Sequence, residues 1–123
     1  MSDIGDEKYV MLTTFTKDGR AKPTPIWVAP FDGGVAVWTV ADSWKVKRIR
    51  NTPRVTVQGS DARGTKLHGP VLEGTATILD AADTARVRDA IAAKYGIIGR
   101  LTLLGSRLRR GPAGTVGIAI VAG

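Results

Sequence analysis

The sequence predicts a mainly β fold, a small barrel of antiparallel strands with flanking helices. Three observations lead to this prediction: short strand-like runs separated by hairpin signals, one strand interrupted by prolines, and two later segments with helical spacing. The chain has 123 residues, 43% of them hydrophobic, and it contains no internal repeat. We therefore expect a single domain spanning 1–123.

The first forty residues are typical of strands joined by tight turns. YVMLTTFT (9–16) is rich in β-branched residues and is followed by Asp18-Gly19, a hairpin signal. AKPTPIWVAPF (21–31) contains three prolines, which predict an edge strand or an interrupted one because proline cannot donate a ladder hydrogen bond. DGG (32–34) then predicts a second hairpin into VAVWTV (35–40).

A short helix is predicted next, with Asp42 or Ser43 as its cap and an end near Asn51 or Thr52, because the residue before Pro53 avoids the helical region. Val46 and Ile49 are its only aliphatic residues, so one narrow stripe is expected to pack. The following strands are RVTVQGS (54–60) and KLHGPVLEGTATIL (66–79), in which Gly69, Pro70 and Gly74 are candidate bends or bulges.

The last third changes from strand to helix and back. DAADTARVRDAIAAKYG (80–96) has helical spacing, with Asp80 or Asp83 as a cap and Gly96 as the stop. RLTLLGSRLRRG (100–111) predicts a further helix with Leu101, Leu104 and Leu108 on one side. TVGIAIVA (115–122) is almost wholly apolar, which is typical of a buried central strand.

Composition excludes several classes of function. The chain has no cysteine, so disulfides, thiolate catalysis and Fe–S clusters are excluded. The N-terminus has no signal-peptide pattern and no apolar run is long enough to span a membrane, so we expect a cytoplasmic protein without a membrane partner. His68 is the only histidine and the carboxylates are scattered. We therefore assign no metal ligand and no catalytic acid or base.

The net charge of +7 includes five cations among residues 45–54. Such a patch attracts anions of any kind and does not by itself identify the partner. The free amides at the start of the predicted helix, the Ser43 hydroxyl and Lys45 together could form a small anion site. Alternatively, Ser43 only caps the helix and Lys45 only lies along the surface. Trp27, Trp38 and Trp44 could likewise form an aromatic wall for a planar ligand or belong to the core.

From about Tyr9 to Leu79 the sequence resembles the pyridoxamine phosphate oxidase-like superfamily of split β-barrel flavin proteins. The resemblance rests on PIWV (25–28), on Thr39, and on a Ser-x-Lys helix start, Ser43 and Lys45, that runs on to NTPRVTV. Ser43-Trp44-Lys45 replaces the Ser-Arg-Lys of the oxidase, and the oxidase's longer C-terminal substrate contacts have no counterpart, so vitamin B6 oxidation is not expected. TPIW, KVKRIRNTPRVTV, DARG and KYG are instead similar to actinobacterial deazaflavin-dependent reductases of the B group.

This resemblance implies a homodimeric split β-barrel enzyme, an oxidoreductase that uses coenzyme F-420. It implies hydride transfer from the reduced deazaflavin to an activated double bond of a small molecule such as an enone, a quinone or a biliverdin-like compound. The expected cofactor residues are Pro25, Ile26, Trp27 and Val28 along the ring, with Thr39, Ser43, Trp44, Lys45, Lys47 and Arg48 at the phosphate and the glutamate tail. Residues of the partner chain, around His68 or 97–110, would complete the pocket.

Three alternatives remain open from the sequence. The first is an FMN-binding oxidoreductase of the same fold, and the second is a non-catalytic F-420 carrier. The third is a nucleic-acid binder, which the charge and the tryptophans allow, but no element resembles a groove-reading helix or an aromatic-basic strand face. We therefore expect no nucleic-acid partner.

Overall fold

The computed structural model describes the backbone of residues 2–110 and 114–123 and the side chains of residues 4–96 and 114–123. Within this part, helices and strands follow one another in the order α1 (Ser2–Gly5), β1 (Tyr9–Phe15), β2 (Ala21–Ile26), β3 (Ala29–Phe31), β4 (Gly34–Val40), α2 (Trp44–Asn51), β5 (Arg54–Ser60), β6 (Leu67–Ile78), α3 (Ala81–Arg110) and β7 (Thr115–Ala122). Among the described residues, no helix has the length and apolarity needed to cross a bilayer.

The strands form one antiparallel sheet in the order β2-β1-β5-β6-β7-β4-β3. Strands β2 and β3 lie at opposite ends of this order, yet only Trp27 and Val28 separate them along the chain. The step from Ile26 to Ala29 covers at most about 10 Å of extended chain. The two ends of the sheet must therefore come together, which confirms the predicted small barrel. The proline-rich strand is both an edge strand and an interrupted one.

The interior of the barrel is lined by alternate residues of β1, β4 and β5, including Leu12, Val37 and Val57, which are fully buried. Helix α2 packs against β1 and β6 and adds Val46 and Ile49 to the same cluster. The predicted apolar stripe is confirmed, because these are the two buried residues of α2. The lysines and arginines of α2 lie on the other sides of the helix.

Helix α3 packs on the outside of the sheet, where Val87 and Ile91 form a second cluster with Ala29 and Ala36. Of the two predicted caps, Asp80 is the one observed, because its Oδ1 accepts a hydrogen bond from the Asp83 amide at 2.9 Å. Gly96 has φ 63° and breaks the helix into two parts, as predicted for a stop.

Backbone geometry confirms the remaining element predictions. Gly19 (φ 84°) and Asp32 (φ 47°) lie in the two hairpin turns, and Gly69 (φ 74°) lies where the β5–β6 register shifts. Residues 100–110 are helical as predicted, whereas the proposed leucine face of this segment lies outside the described side chains. Strand β7 lies between β6 and β4, the central position expected of an apolar strand.

Candidate functional site

The start of α2 carries a buried polar atom that is not satisfied. Ser43 is the N-cap, but its side chain makes no hydrogen bond to the helix. Its Oγ is buried and has no hydrogen-bond partner in the part of the chain that the structure describes. Lys47 donates the first helical bond, to the Ser43 carbonyl at 3.3 Å, so the amides of 44–46 precede the hydrogen-bonded ladder. A hydroxyl and free amides at a helix N-terminus suit an anionic oxygen ligand.

Two cations lie on one side of this helix end. Lys45 and Arg48 are both partly buried, and the spacing of three residues places them on one face. Arg48 Nε donates a 2.7 Å hydrogen bond to Oγ1 of Thr14, a buried residue of β1. This bond fixes the Arg48 side chain against the barrel, close enough to Lys45 for its charge to affect the lysine.

Burial, and secondarily the positive charge of Arg48, lower the pKa of Lys45 below the ordinary lysine value of 10.5. A bound phosphate would favour the protonated form, so binding would take up a proton at alkaline pH. We therefore expect phosphate affinity to fall as the pH rises through the alkaline range towards 10.5, the ordinary lysine value. Isothermal titration calorimetry with inorganic phosphate should show this fall in the wild type and a much flatter profile in Lys45→Ala; equal slopes would contradict the assignment.

The other cations of the run lie elsewhere. Lys47 Nζ lies 4.6 Å from the ring centroid of Trp44, and both side chains are exposed, Trp44 by 71%. Arg54 forms an ion pair with Glu73, 2.8 Å from Nη2 to Oε1. Helical spacing points Lys47 away from Lys45 and Arg48, and Arg54 lies beyond the helix, so these cations do not all reach one group. Of the two partly buried cations, Lys45 follows Ser43 by two residues, whereas Arg48 is bonded to Thr14.

A cavity of about 240 Å³ opens beside the segment expected to hold a ring. Of the described residues that line it, none is charged and three are aromatic. The lining consists of Tyr9, Pro25, Ile26, Trp27, Trp38 and Ile91. Apolar and aromatic walls of this kind suit a flat, uncharged ring system. The indole nitrogen of Trp38 is buried and has no partner among the described residues.

Val28 and Thr39, the remaining two predicted cofactor residues, are buried. Val28 is fully buried, and both its amide and its carbonyl are bonded to the Tyr95 hydroxyl. The backbone of Val28 therefore has no free group to offer a ring. This differs from the expectation that all of Pro25 to Val28 would lie along the ring. Thr39 is buried in β4, where it is paired with Val116 of β7.

Sequence reasoning missed several residues around this site. Tyr9 and Ile91 line the cavity, Thr14 holds Arg48, and the Tyr95 ring stacks on Trp27 with centroids 4.3 Å apart and an interplanar angle of 8°. The one available signal was KYG, an aromatic residue directly before the helix stop. Barrel closure, which brings β1, β2 and α3 together, has no local signature.

His68 lies in a different pair, with its Nε2 2.7 Å from Oε2 of Glu7. No group of three or more potential metal-ligating side chains occurs among the described residues. The described part of the chain thus presents a candidate anion site at the start of α2 and an aromatic cavity beside the segment that joins β2 and β3.

The family profile of pyridoxamine 5'-phosphate oxidase matches residues 3–119. The chain belongs to this family. No curated protein matches it significantly. A solved structure of a conserved hypothetical protein from Mycobacterium tuberculosis is similar, with 26% identity and a TM-score of 0.74 over 98% of this chain and 77% of that one.

Two further structures share the family fold at lower identity. An FAD-binding protein from Mesorhizobium loti is 20% identical, with a TM-score of 0.63 over 99% of this chain and 86% of that one. The heme storage protein HutZ from Vibrio cholerae is 11% identical, with a TM-score of 0.65 over 99% and 87%. At these identities the likeness concerns the fold alone, which is mainly antiparallel β with helices, as predicted.

Proposed function

We propose that this family member is an F-420-dependent reductase that transfers hydride to an activated double bond of a small organic substrate. The observation that carries the proposal is the unpartnered, buried Ser43 Oγ at the N-terminus of α2, with Lys45 beside it. This is the arrangement that a phosphate would satisfy. Membership of a family named for an oxidase of a phosphorylated substrate supports a redox role.

The residues fit such a cofactor in two parts. Ser43, the first amides of α2 and Lys45 would hold the phosphodiester, and Arg48 and Lys47 would face the glutamate carboxylates of the tail. Pro25, Ile26 and Trp27 would lie along the ring, since they line the aromatic cavity. Thr39 and the exposed Trp44 belong to the proposed phosphate end through their positions on β4 and α2.

Bound reduced F-420 would supply the hydride for one atom of the activated double bond. The proton for the adjacent atom would come from water or a nearby donor, because the described lining of the cavity contains no carboxylate and no histidine. The protein's part is to orient the two reactants and to exclude excess water with apolar walls. Because the cofactor would supply the hydride and the protein would only orient the reactants, the reaction does not require an acid–base pair.

The exposed apolar surface supports the proposed homodimer. Leu67 and Val71 of β6 are 50% and 58% exposed. Strand β7 pairs with β6 only from Gly74 onward, so within the described chain the first half of β6 has a strand partner on one side alone. A second copy of the chain placed over this surface would bury these side chains. In this arrangement, partner residues would complete the cofactor pocket.

The test is a side-by-side fluorescence titration of the purified protein with F-420 and with FMN. We expect F-420 to bind in the micromolar range and FMN to bind more weakly. A yellow protein that retains FMN on purification would contradict the choice of cofactor and favour the FMN alternative, to which the FAD-binding neighbour also points. Absence of binding by either cofactor would contradict the proposal as a whole.

A carrier role is the second candidate, favoured by the heme storage protein among the structural neighbours. Steady-state oxidation of reduced F-420 in the presence of enones, quinones and biliverdin separates the two roles. Turnover with any of them supports the reductase. Tight binding of F-420 without turnover across the panel would favour the carrier.

A further inference from the structure

The segment Trp27–Val28 is held by two consecutive residues of α3. Lys94 Nζ donates hydrogen bonds to three main-chain carbonyls: Val28 at 2.7 Å, Gly5 at 2.6 Å, and Glu7. An ammonium has three protons to donate, so all three are used. Lys94 therefore joins α3, the N-terminal segment and the link between β2 and β3 at one point.

Tyr95 holds the same link from the next position. Its hydroxyl oxygen accepts a hydrogen bond from the Val28 amide at 3.1 Å and lies within donating distance of the carbonyls of Lys8 (2.7 Å) and Val28 (3.0 Å). Its ring stacks on Trp27. One side chain thus fixes both the backbone of Val28 and the ring plane of its neighbour.

These contacts matter because of where the link lies. Trp27 lines the aromatic cavity, and Ile26 and Pro25 precede it directly. Residues 27 and 28 have no place in the sheet ladder, since β2 ends at Ile26 and β3 begins at Ala29. The ladder therefore does not set their conformation, and the side chains of Lys94 and Tyr95 do so instead.

We infer that Lys94 and Tyr95 are positioning residues that set the orientation of the Trp27 wall and thereby the affinity of the site for a flat ring. Neither residue lines the cavity, so they act through Trp27 and Val28. This inference rests on the proposed function for the identity of the ring. The contacts of Lys94 and Tyr95 with Trp27 and Val28 can themselves be tested on the protein without any ligand.

The experiment compares Tyr95→Phe with wild type and with Asp89→Asn, a control at an exposed position of the same helix. Phenylalanine keeps the stacking on Trp27 and removes the hydroxyl. By NMR, exchange of the Val28 amide should become about 5-fold faster, as expected for the loss of one hydrogen bond worth about 1 kcal/mol. Exchange in the β1–β5 ladder should not change.

The binding probes are the deazaflavin chromophore without its phosphodiester tail and inorganic phosphate. In Tyr95→Phe we expect about 5-fold weaker binding of the chromophore and unchanged binding of phosphate, since the hydrogen bonds and the stacking of Tyr95 involve Lys8, Trp27 and Val28 and not α2. A general loss of structure would weaken both probes. Asp89→Asn should match the wild type in all measurements.

Two results would overturn the inference: an unchanged exchange rate of the Val28 amide in Tyr95→Phe, or unchanged chromophore affinity where the wild type binds the chromophore. If the wild type binds neither F-420 nor the chromophore, the proposed function fails. The exchange comparison then still decides whether Tyr95 holds the link, because it needs no ligand.

Discussion

Replacing Lys45 with alanine is expected to raise the dissociation constant for F-420 by about 10- to 150-fold. Lys45 is the partly buried cation beside the unpartnered Ser43 hydroxyl, and its ammonium would make a charge-assisted bond to the phosphodiester. Such bonds contribute about 1.5–3 kcal/mol, which corresponds to this range. Fluorescence titration at constant ionic strength measures the effect.

Arg50→Ala is the matched control, since it removes the same charge from the same helix at an exposed position. Loss of net charge alone would weaken F-420 binding equally in both variants, whereas a phosphate site at the start of α2 would make only Lys45→Ala bind more weakly. We expect the dissociation constant of Arg50→Ala to stay within about 2-fold of wild type because exposed charges at a distance are screened by salt. Equal weakening by both substitutions would rule out Lys45 as a specific phosphate ligand.

Lys94→Met is expected to lower the free energy of unfolding by about 3 kcal/mol. Methionine has a similar length but donates no hydrogen bond, so the carbonyls of Gly5, Glu7 and Val28 all lose a donor. A buried polar group left without a partner costs about 1–3 kcal/mol, and water entering the gap would satisfy some of them. Urea denaturation followed by tryptophan fluorescence gives the value.

Lys66→Met serves as the control for this substitution, because Lys66 is exposed in the turn before β6. Surface changes of this kind usually alter stability by less than about 0.5 kcal/mol. If the two variants unfold at the same urea concentration, Lys94 does not contribute the three-way link that the geometry indicates.

Much of the fold could be predicted because its signals are local. Gly19 and Asp32 mark turns, the prolines mark an edge strand, and Val46 with Ile49 marks the packed stripe of α2. Each of these depends on residues only a few positions apart. The resemblance to the pyridoxamine phosphate oxidase-like superfamily was correct at the level of the family, whereas F-420 as the cofactor remains a proposal.

The site was predictable only in part, for a physical reason. Spacing along one helix separates Lys45 and Arg48 from Lys47, and the structure shows the same separation. The partners that fix the site come from distant parts of the chain: Thr14 for Arg48 and Tyr95 for Trp27. Such contacts exist only after the sheet has closed, so no pattern in the sequence marks them.

The position of β7 has a consequence for how the chain folds during synthesis. It is the last strand in the sequence, yet it pairs with both β4 and β6 near the middle of the sheet. Until residues 115–122 have left the ribosome, no strand can join β2-β1-β5-β6 to β4-β3, and the edges of β6 and β4 that β7 covers stay unpaired. Contacts between distant segments of this kind slow folding and leave edges open to other chains. We therefore expect the nascent chain to be most prone to aggregation just before β7 is available.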